Sequence, residues 1–165
     1  MSRPFLSTLS GKNVCLREID GDDLGRIVTW RNDPEISKCF FTKKLSLKSQ
    51  KPWFRRYLKD RSDLTYIIAQ TEDSTICGMI ALYNIDGTKA EVGRTIVISD
   101  HRGHGYAGEA LSLILKLAFE TLRLDEVYLS VYAWNKPAIK MYRKAGFKVA
   151  AKGDVLVMVK YRGKK

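Results

Sequence analysis

The chain has 165 residues, 45% of them hydrophobic and 28% charged, with a formal net charge of +11. This length and composition predict one domain, 1–165, with a sizeable core, and no apolar run is long enough for a membrane span. The N-terminal segment is too polar for a secretory signal. The three cysteines, Cys15, Cys39 and Cys77, are scattered and suit neither a disulfide framework nor a metal site. We therefore expect a cytoplasmic protein without metal.

The predicted elements begin with a strand over 13–19, where apolar and polar residues alternate. A helix starts near Asp20 and stops before Pro34, because the residue preceding a proline disfavours helical backbone. A second helix over 48–60 carries an apolar stripe, which we assign to core packing rather than to base stacking. Three runs rich in β-forming residues then predict an antiparallel meander: 65–71, 76–85 and 90–98.

The second half of the chain opens with the glycine-rich segment RGHGYAG, 102–108, which leads into a helix over 109–123. That helix is apolar nearly all round, so we expect it to be buried. A strand over 126–133, a helix over 135–146 and a strand pair within 147–161 complete the chain. The order β-α-α-β-β-β-α-β-α-β-β predicts an α/β fold with a mixed sheet of about seven strands and about four helices.

The glycine-rich segment has the features of an anion site. A helix start presents unpaired N–H groups and partial positive charge, and glycines let backbone approach phosphate closely. Arg102 adds a cation. A dinucleotide-binding loop is not expected, because this segment follows an antiparallel meander late in the chain. A tight turn without a ligand is the alternative.

Positive charge is concentrated in two segments. Residues 38–61 hold nine basic residues and one acidic residue, and residues 140–165 hold the same numbers. Residues 62–134, by contrast, hold five basic and ten acidic residues. Such segregation favours a localised positive field that suits a nucleic acid or a smaller phosphate-bearing ligand. Two solvated faces without a partner are the simpler alternative.

The pattern formed by Arg102, Gly105 and Ala107 resembles the Arg/Gln-x-x-Gly-x-Gly/Ala signature of the GNAT family of N-acetyltransferases. The strand before it, the long helix after it and the segment NKPAIKMYRKAGF, 135–147, resemble the family as well. The resemblance covers roughly residues 12–160. It implies the family's fold, with two central strands that splay apart, and an enzyme that moves the acetyl group of acetyl-coenzyme A to a primary amine.

The resemblance also implies the cofactor site. The loop amides hold the pyrophosphate, the strand before the loop pairs by its backbone with the pantetheine arm, and an asparagine lies beside that arm or the thioester. The histidines of the loop are phosphate-side neighbours rather than bases. The implied cofactor-binding residues are Ile96, Val97, Ile98, Arg102, Gly103, His104, Gly105, Tyr106, Ala107, Gly108 and Asn135.

Acyl transfer to an amine needs a neutral nucleophile and a proton for the departing sulfur. Tyr142 corresponds to the family's tyrosine that protonates the thiolate, and it lies seven residues after Asn135, on the same helix face. The alternative is a tyrosine that only packs in the core. Glu91 is the candidate base; a salt bridge from it to Arg94 or Arg102, or proton removal through ordered water, is left open.

The segment WRNDPEI, 30–36, gives an indication of the acceptor. It resembles the corresponding stretch of acetyltransferases that act on nucleotide-linked amino sugars in pseudaminic-acid-type synthesis. That likeness implies that Trp30, Arg31 and Asn32 lie near the acceptor. With the basic segments walling the cleft, a phosphate-bearing acceptor is favoured and a polyamine repelled. We therefore rank a nucleotide-linked amino sugar first, a ribosomal-protein N-terminus second and a polyamine third. Direct nucleic-acid binding is not expected; a homodimer, and a non-catalytic module that binds coenzyme A or RNA, are left open.

Overall fold

One mixed sheet organises the fold in the computed structural model, which describes residues 7–42 and 44–163. Within these residues the sheet has eight strands: β1 (Leu9–Ser10), β2 (Val14–Glu18), β3 (Leu64–Gln70), β4 (Ile76–Asp86), β5 (Lys89–Val97), β6 (Glu126–Tyr132), β7 (Lys148–Ala151) and β8 (Val155–Tyr161). They lie in the order β1-β2-β3-β4-β5-β6-β8-β7, and all neighbours are antiparallel except β5 and β6.

The helices cover both faces of this sheet. They are α1 (Asp23–Asn32), α2 (Pro34–Ser37), α3 (Leu47–Tyr57), α4 (Tyr106–Lys116) and α5 (Lys136–Lys144), and a π-helical turn continues α4 through Leu117–Thr121. A reciprocal pair of serines, Ser46 and Ser49, caps the start of α3. In the two described ranges, no helix has the length and apolar character that crossing a membrane requires.

The predicted fold class and the order of the main elements are confirmed, with two short elements added. β1 pairs with β2 in a hairpin, which is closed by a hydrogen bond of 2.9 Å from Gly11 N to Val14 O. Because β1 has only two residues, its sequence shows no periodic pattern from which a strand could be predicted. α2 begins at Pro34, which the sequence analysis treats only as the end of α1. The Asp33 side chain accepts from the N–H of Glu35, and proline suits a first helical position, so a new helix starts there.

Two apolar clusters pack on the sheet. The larger lies between the sheet and α4 and α5, and includes Tyr66 and Ile68 of β3; the smaller lies under α1 and α3 and includes Ile67. This alternation follows from the period of two along a strand. The expectation that the helix after the glycine loop is buried is confirmed for the side of α4 that packs in the larger cluster, whereas Ser112 and Lys116 on its other side are exposed.

β5 and β6 pair over a short distance and then separate. Their pairs within the described strands are Lys89 with Glu126, Ala90 with Val127 and Glu91 with Tyr128. β8, in contrast, follows β6 along its whole length. The splay that the family resemblance implies is therefore confirmed, and it opens a cleft at the C-terminal ends of the two parallel strands.

Candidate active site

A cavity of about 500 Å³ fills the cleft between the separating strands. Its walls come from β5, from the end of β6, from α5, and from α1 with the segment that follows α2. The glycine-rich loop closes one end, where Arg102 and Ala107 line the cavity. The lining residues that matter most for its chemistry are Arg31, Glu35, Glu91, Thr95, Asn135 and Tyr142.

Tyr142 forms part of the cavity wall from its position on α5. It is 8% exposed, and its ring packs edge-on against Phe147 with 5.9 Å between the ring centroids. Burial raises the pKa of the Tyr142 phenol, and the nearby Thr95 hydroxyl opposes that rise. The Thr95 hydroxyl itself makes no hydrogen bond of ordinary geometry within the described residues. The phenol therefore carries its proton at neutral pH, and the residue is both a core tyrosine and a cavity residue.

Asn135 positions α5. Its Oδ1 accepts from Ala138 N at 3.3 Å, which caps the helix, and Pro137 occupies the first turn. Both Asn135 and Tyr142 line the cavity, so the prediction that they share one face of this helix is confirmed.

Glu91 lines the cavity near the point where β5 and β6 part. Its carboxylate accepts from Tyr83 Oη and from Asn84 Nδ2, each at 3.0 Å. Burial raises the pKa of Tyr83, and the adjacent Glu91 carboxylate raises it further, so the phenol remains a donor. Two neutral donors thus orient a carboxylate that faces the site.

The two arginines considered as partners of Glu91 are engaged elsewhere. Arg94 Nη1 contacts the Asp63 carboxylate at 2.7 and 2.9 Å, and its guanidinium lies 4.3 Å from the centre of the Tyr83 ring. Arg102 Nε donates to Val97 O at 2.9 Å. The salt-bridge alternative for Glu91 is therefore not formed in the described part of the chain.

The glycine-rich loop lies at one end of the cavity, where Arg102 and Ala107 line it and the other predicted loop residues do not: Gly103, His104, Gly105, Tyr106 and Gly108. Gly103 and Gly105 have φ of +80° and +79°, a left-handed conformation that other residues rarely adopt. Gly105 precedes the first residue of α4 and offers no side-chain cap, so the N–H groups of the first turn are left for a ligand. A side chain at either glycine would meet no atom within 4 Å, so the loop faces open space. These donors, with Arg102, fit the pyrophosphate of coenzyme A.

The strand residues expected beside the pantetheine arm divide into two groups. Ile96 and Val97 line the cavity. Ile98 does not, and its N–H donates to Cys77 O at 2.9 Å. In the loop itself, His104 stacks on Tyr106 with 5.4 Å between ring centroids, which orders the segment between the strand and α4.

The residues expected near the acceptor are also divided. Trp30 packs against the smaller apolar cluster, and Asn32 clamps the backbone of Leu45 through two hydrogen bonds of 2.7 and 2.8 Å. Neither lines the cavity, whereas Arg31, between them, does. Trp30 and Asn32 thus fix the end of α1 and the segment that faces it.

Arg31 is a partly buried cation without a carboxylate among its described contacts. Its guanidinium lies 3.9 Å from the centre of the Phe40 ring and donates to the Thr42 hydroxyl, and its Nε is buried without a hydrogen-bond partner in the described ranges. Burial lowers its pKa, and the positive charge of Arg94 lowers it further. The arginine has donors available for an anionic ligand.

The two basic segments do contribute to the walls of the cavity, through residues such as Phe41 and Tyr142, but the prediction that their positive charge lines the cleft is wrong. The basic residues that line the cavity are Arg31, Arg94 and Arg102, and all three lie outside those segments. The α3 side chains of the first segment, such as Lys48 and Arg55, are exposed to solvent. Solvated faces account for them, because charge density along a sequence does not tell which surface it reaches. Lys43, Lys164 and Lys165 lie outside the described residues.

Several cavity residues carry no signal in the sequence that was read as functional. Glu35, Cys39 and Phe41 come from α2 and the segment after it, where no periodic pattern signals their direction. Thr95 was also missed, because β5 shifts register against β4 between Gly93 and Ile96, with Arg94 at φ +52°, and this bulge breaks the alternation along the strand.

Comparisons with known proteins agree with this geometry. A family model described as an acetyltransferase (GNAT) domain matches residues 13–148. The acetyltransferase PseH of Campylobacter jejuni is 29% identical over 132 residues, which are 80% of this chain and 81% of that protein. The structure of spermidine N-acetyltransferase from Vibrio cholerae with CoA and spermine superposes with a TM-score of 0.85 at 22% identity, covering 92% of this chain and 97% of that one. The structure of apo FdhC, described as a nucleotide-linked sugar GNAT, superposes with a TM-score of 0.82 at 21% sequence identity. That match covers 94% of this chain and 90% of the FdhC chain.

Proposed function

The chain belongs to the GNAT family of acetyltransferases, and from that premise we propose that its acceptor is the primary amine of a nucleotide-linked amino sugar. Membership of the family makes it an N-acetyltransferase that uses acetyl-coenzyme A. The acceptor and the roles of individual residues are our proposal.

The proposed acceptor is inferred mainly from Arg31. A desolvated guanidinium in the cavity wall with a free Nε favours a phosphate or carboxylate and disfavours a polycation. The charge of the nearby Glu35 carboxylate is offset by Lys38, whose Nζ lies 2.6 Å from Glu35 Oε2. The structural neighbour FdhC, which is described as a nucleotide-linked sugar GNAT, supports the same choice.

The cofactor supplies an acetyl group activated as a thioester. We assign its pyrophosphate to the backbone donors of residues 102–108, and its pantetheine arm to residues 96–98 with Asn135. Arg102 adds positive charge beside the first turn of α4, whose unsatisfied N–H groups attract anions. Trp30 and Asn32 act as positioning residues, because they hold α1 and the facing segment that carry Arg31 and its contacts.

Two side chains handle the protons. Tyr142 Oη holds a proton, since burial raises the pKa of its phenol, and it is the donor for the departing sulfur. Glu91 is the acceptor for a proton of the amine, directly or through a water, because its carboxylate lines the cavity while Tyr83 and Asn84 fix its orientation. Together they let the amine attack as a neutral nucleophile.

A thiol-release assay tests the acceptor. Acetyl-coenzyme A is combined with a UDP-linked 4-amino sugar, with spermidine, or with peptides that carry ribosomal-protein N-termini, and we expect turnover on the sugar. Arg31→Gln should raise the KM for the sugar about tenfold or more, because hydrogen bonds to charged groups contribute about 1.5–3 kcal/mol. The KM for acetyl-coenzyme A should not change. Arg55→Gln, on the exposed face of α3, is the control. Turnover confined to spermidine would contradict the proposal.

A polyamine is the second candidate acceptor, and two observations favour it. Glu35 and Glu91 both line the cavity, and the spermidine enzyme of Vibrio cholerae shares the fold closely. If a polyamine is the acceptor, Glu35→Gln should raise the KM for spermidine and Arg31→Gln should lower it, because one removes an attractive charge and the other a repulsive one. The same two variants therefore separate the two candidates by the direction of the change.

A further inference from the structure

Three aromatic rings, from two distant parts of the chain, meet beside the cavity. Phe41 follows α2, Tyr132 ends β6, and Trp134 lies just beyond it. The ring centroids of Phe41 and Tyr132 are 4.6 Å apart, and those of Tyr132 and Trp134 are 5.6 Å apart with the planes only 18° from parallel. We call these three residues the aromatic ladder.

The ladder is not part of the described core. Neither apolar cluster includes its residues, and Phe41 and Trp134 are 55% and 51% exposed. The β6 end of the ladder is held by backbone hydrogen bonds instead: Ala133 N donates to Asp154 O and Asn135 N to Tyr132 O, each at 2.9 Å. Large, half-exposed rings that are fixed in this way leave flat apolar faces available to a planar ligand.

The ladder adjoins Arg31, the cavity cation that has no carboxylate among its described contacts. Arg31 contacts Phe40 through its ring and Thr42 through its hydroxyl, and these two residues flank Phe41 in the chain. Phe41 itself lines the cavity. A guanidinium with a free donor beside a stack of aromatic rings matches a ligand in which a phosphate and a planar heterocycle are joined, which is the chemistry of a nucleotide.

We propose that the aromatic ladder stacks on the base of the acceptor's nucleotide, with Arg31 at its phosphates; this inference rests on the proposed function. Stacking on an aromatic face tolerates any base, so the ladder sets affinity for a nucleotide as a class. Coenzyme A also carries a base, but its phosphates belong to the loop after β5. The ladder lies at the end of β6 and on the segment that Arg31 contacts, so it belongs to the acceptor.

Calorimetric titration with UDP tests the ladder, using enzyme saturated with coenzyme A so that the cofactor site is occupied. Wild type should bind UDP, and Trp134→Leu should bind it roughly ten times or more weakly, within the range known for loss of one stacked base. Trp134→Phe retains a ring and should stay within about threefold of wild type, on the same stacking principle. Tyr161→Leu is the control, because Tyr161 is 67% exposed at the opposite end of β8.

Inorganic pyrophosphate is the second probe. It has no base, so its affinity should be equal in wild type and Trp134→Leu if the ladder reads the base. Equal UDP affinity in wild type and Trp134→Leu would overturn the inference while leaving an amino-sugar acetyltransferase intact. So would an equal loss of coenzyme A affinity in that variant, which would place the cofactor's adenine on the ladder. A wild-type enzyme that neither binds UDP nor acetylates the UDP-linked sugar would instead refute the proposed function.

Discussion

Replacing Tyr142 with phenylalanine removes one hydroxyl and leaves the ring in place. The ring keeps its edge contact with Phe147, and the neighbouring Thr95 loses no hydrogen bond of ordinary geometry. Loss of a hydroxyl that lines a cavity costs at most about one hydrogen bond, so the free energy of unfolding should change by less than about 1 kcal/mol. The effect on turnover isolates the proton that this phenol carries.

The expected loss of turnover is large. A positioned general acid contributes about 10²- to 10⁴-fold, which corresponds to about 3–5 kcal/mol of activation free energy. Because burial raises the pKa of Tyr142, the wild-type phenol stays protonated throughout the neutral range. On the alkaline side, the wild-type kcat should therefore fall only when the pH rises above the usual tyrosine pKa of about 10, and Tyr142→Phe should lack that alkaline limb.

Steady-state thiol release measures kcat, and calorimetric titration measures coenzyme A affinity. We expect kcat to fall while the affinity for coenzyme A and the thermal midpoint of unfolding stay within error. Tyr161→Phe, at an exposed position far along β8, is the matched control and should keep full turnover. A Tyr142→Phe enzyme with a kcat within threefold of wild type would refute the role of this phenol as the proton donor.

Three further substitutions test the packing. Asp23→Asn breaks the contacts of 2.7 and 2.8 Å from Arg17 and should cost about 2–4 kcal/mol, less than for a fully buried pair because Arg17 is one-third exposed. Burial alone would raise the pKa of Asp23, but hydrogen bonds from Arg17 lower it. The stabilisation should therefore be complete above about pH 4 and disappear as the pH falls further. Urea unfolding at several pH values measures this dependence, and a stability difference between wild type and variant that does not shrink at low pH would contradict it. Gly78→Ala places a methyl group 1.9 Å from Ile96 O and should lower the thermal midpoint sharply or prevent folding, and an unchanged midpoint would contradict the tight β4–β5 approach. Gly25→Ala meets no atom within 4 Å inside α1 and should stabilise the fold by about 0.5–1 kcal/mol; a lower midpoint would show that the helix surface there is not free.

Local chemistry explains which parts of the fold were predictable from the sequence. The strands of the meander are rich in β-forming residues and bounded by turn residues, and α5 has asparagine and proline at its start, so their positions followed from short-range signals. β1 and α2 escaped notice because elements of two and four residues carry no period. Asp33 shows the difficulty: it both follows α1 and caps α2.

The candidate site was only partly predictable, because its walls join segments that are far apart in the chain. The glycine loop, Asn135 and Tyr142 were found from motifs. The partners of Glu91 come from the neighbouring strand, and the contact of Phe41 with Tyr132 joins a segment after α2 to the end of β6. Such contacts depend on tertiary packing, as does the fact that the described basic side chains of the two basic segments do not line the cavity.

The short β5–β6 pairing divides the sheet into two plates joined at one corner. β1 to β5 form one plate and β6 to β8 the other, and three residue pairs connect them within the described strands. A molecule that touches both plates adds cohesion that the backbone does not supply. Each ligand should therefore raise the melting temperature with the logarithm of its concentration, and slow the exchange of amide hydrogens along the diverging edges. Heat resistance and substrate supply would then be coupled in the cell.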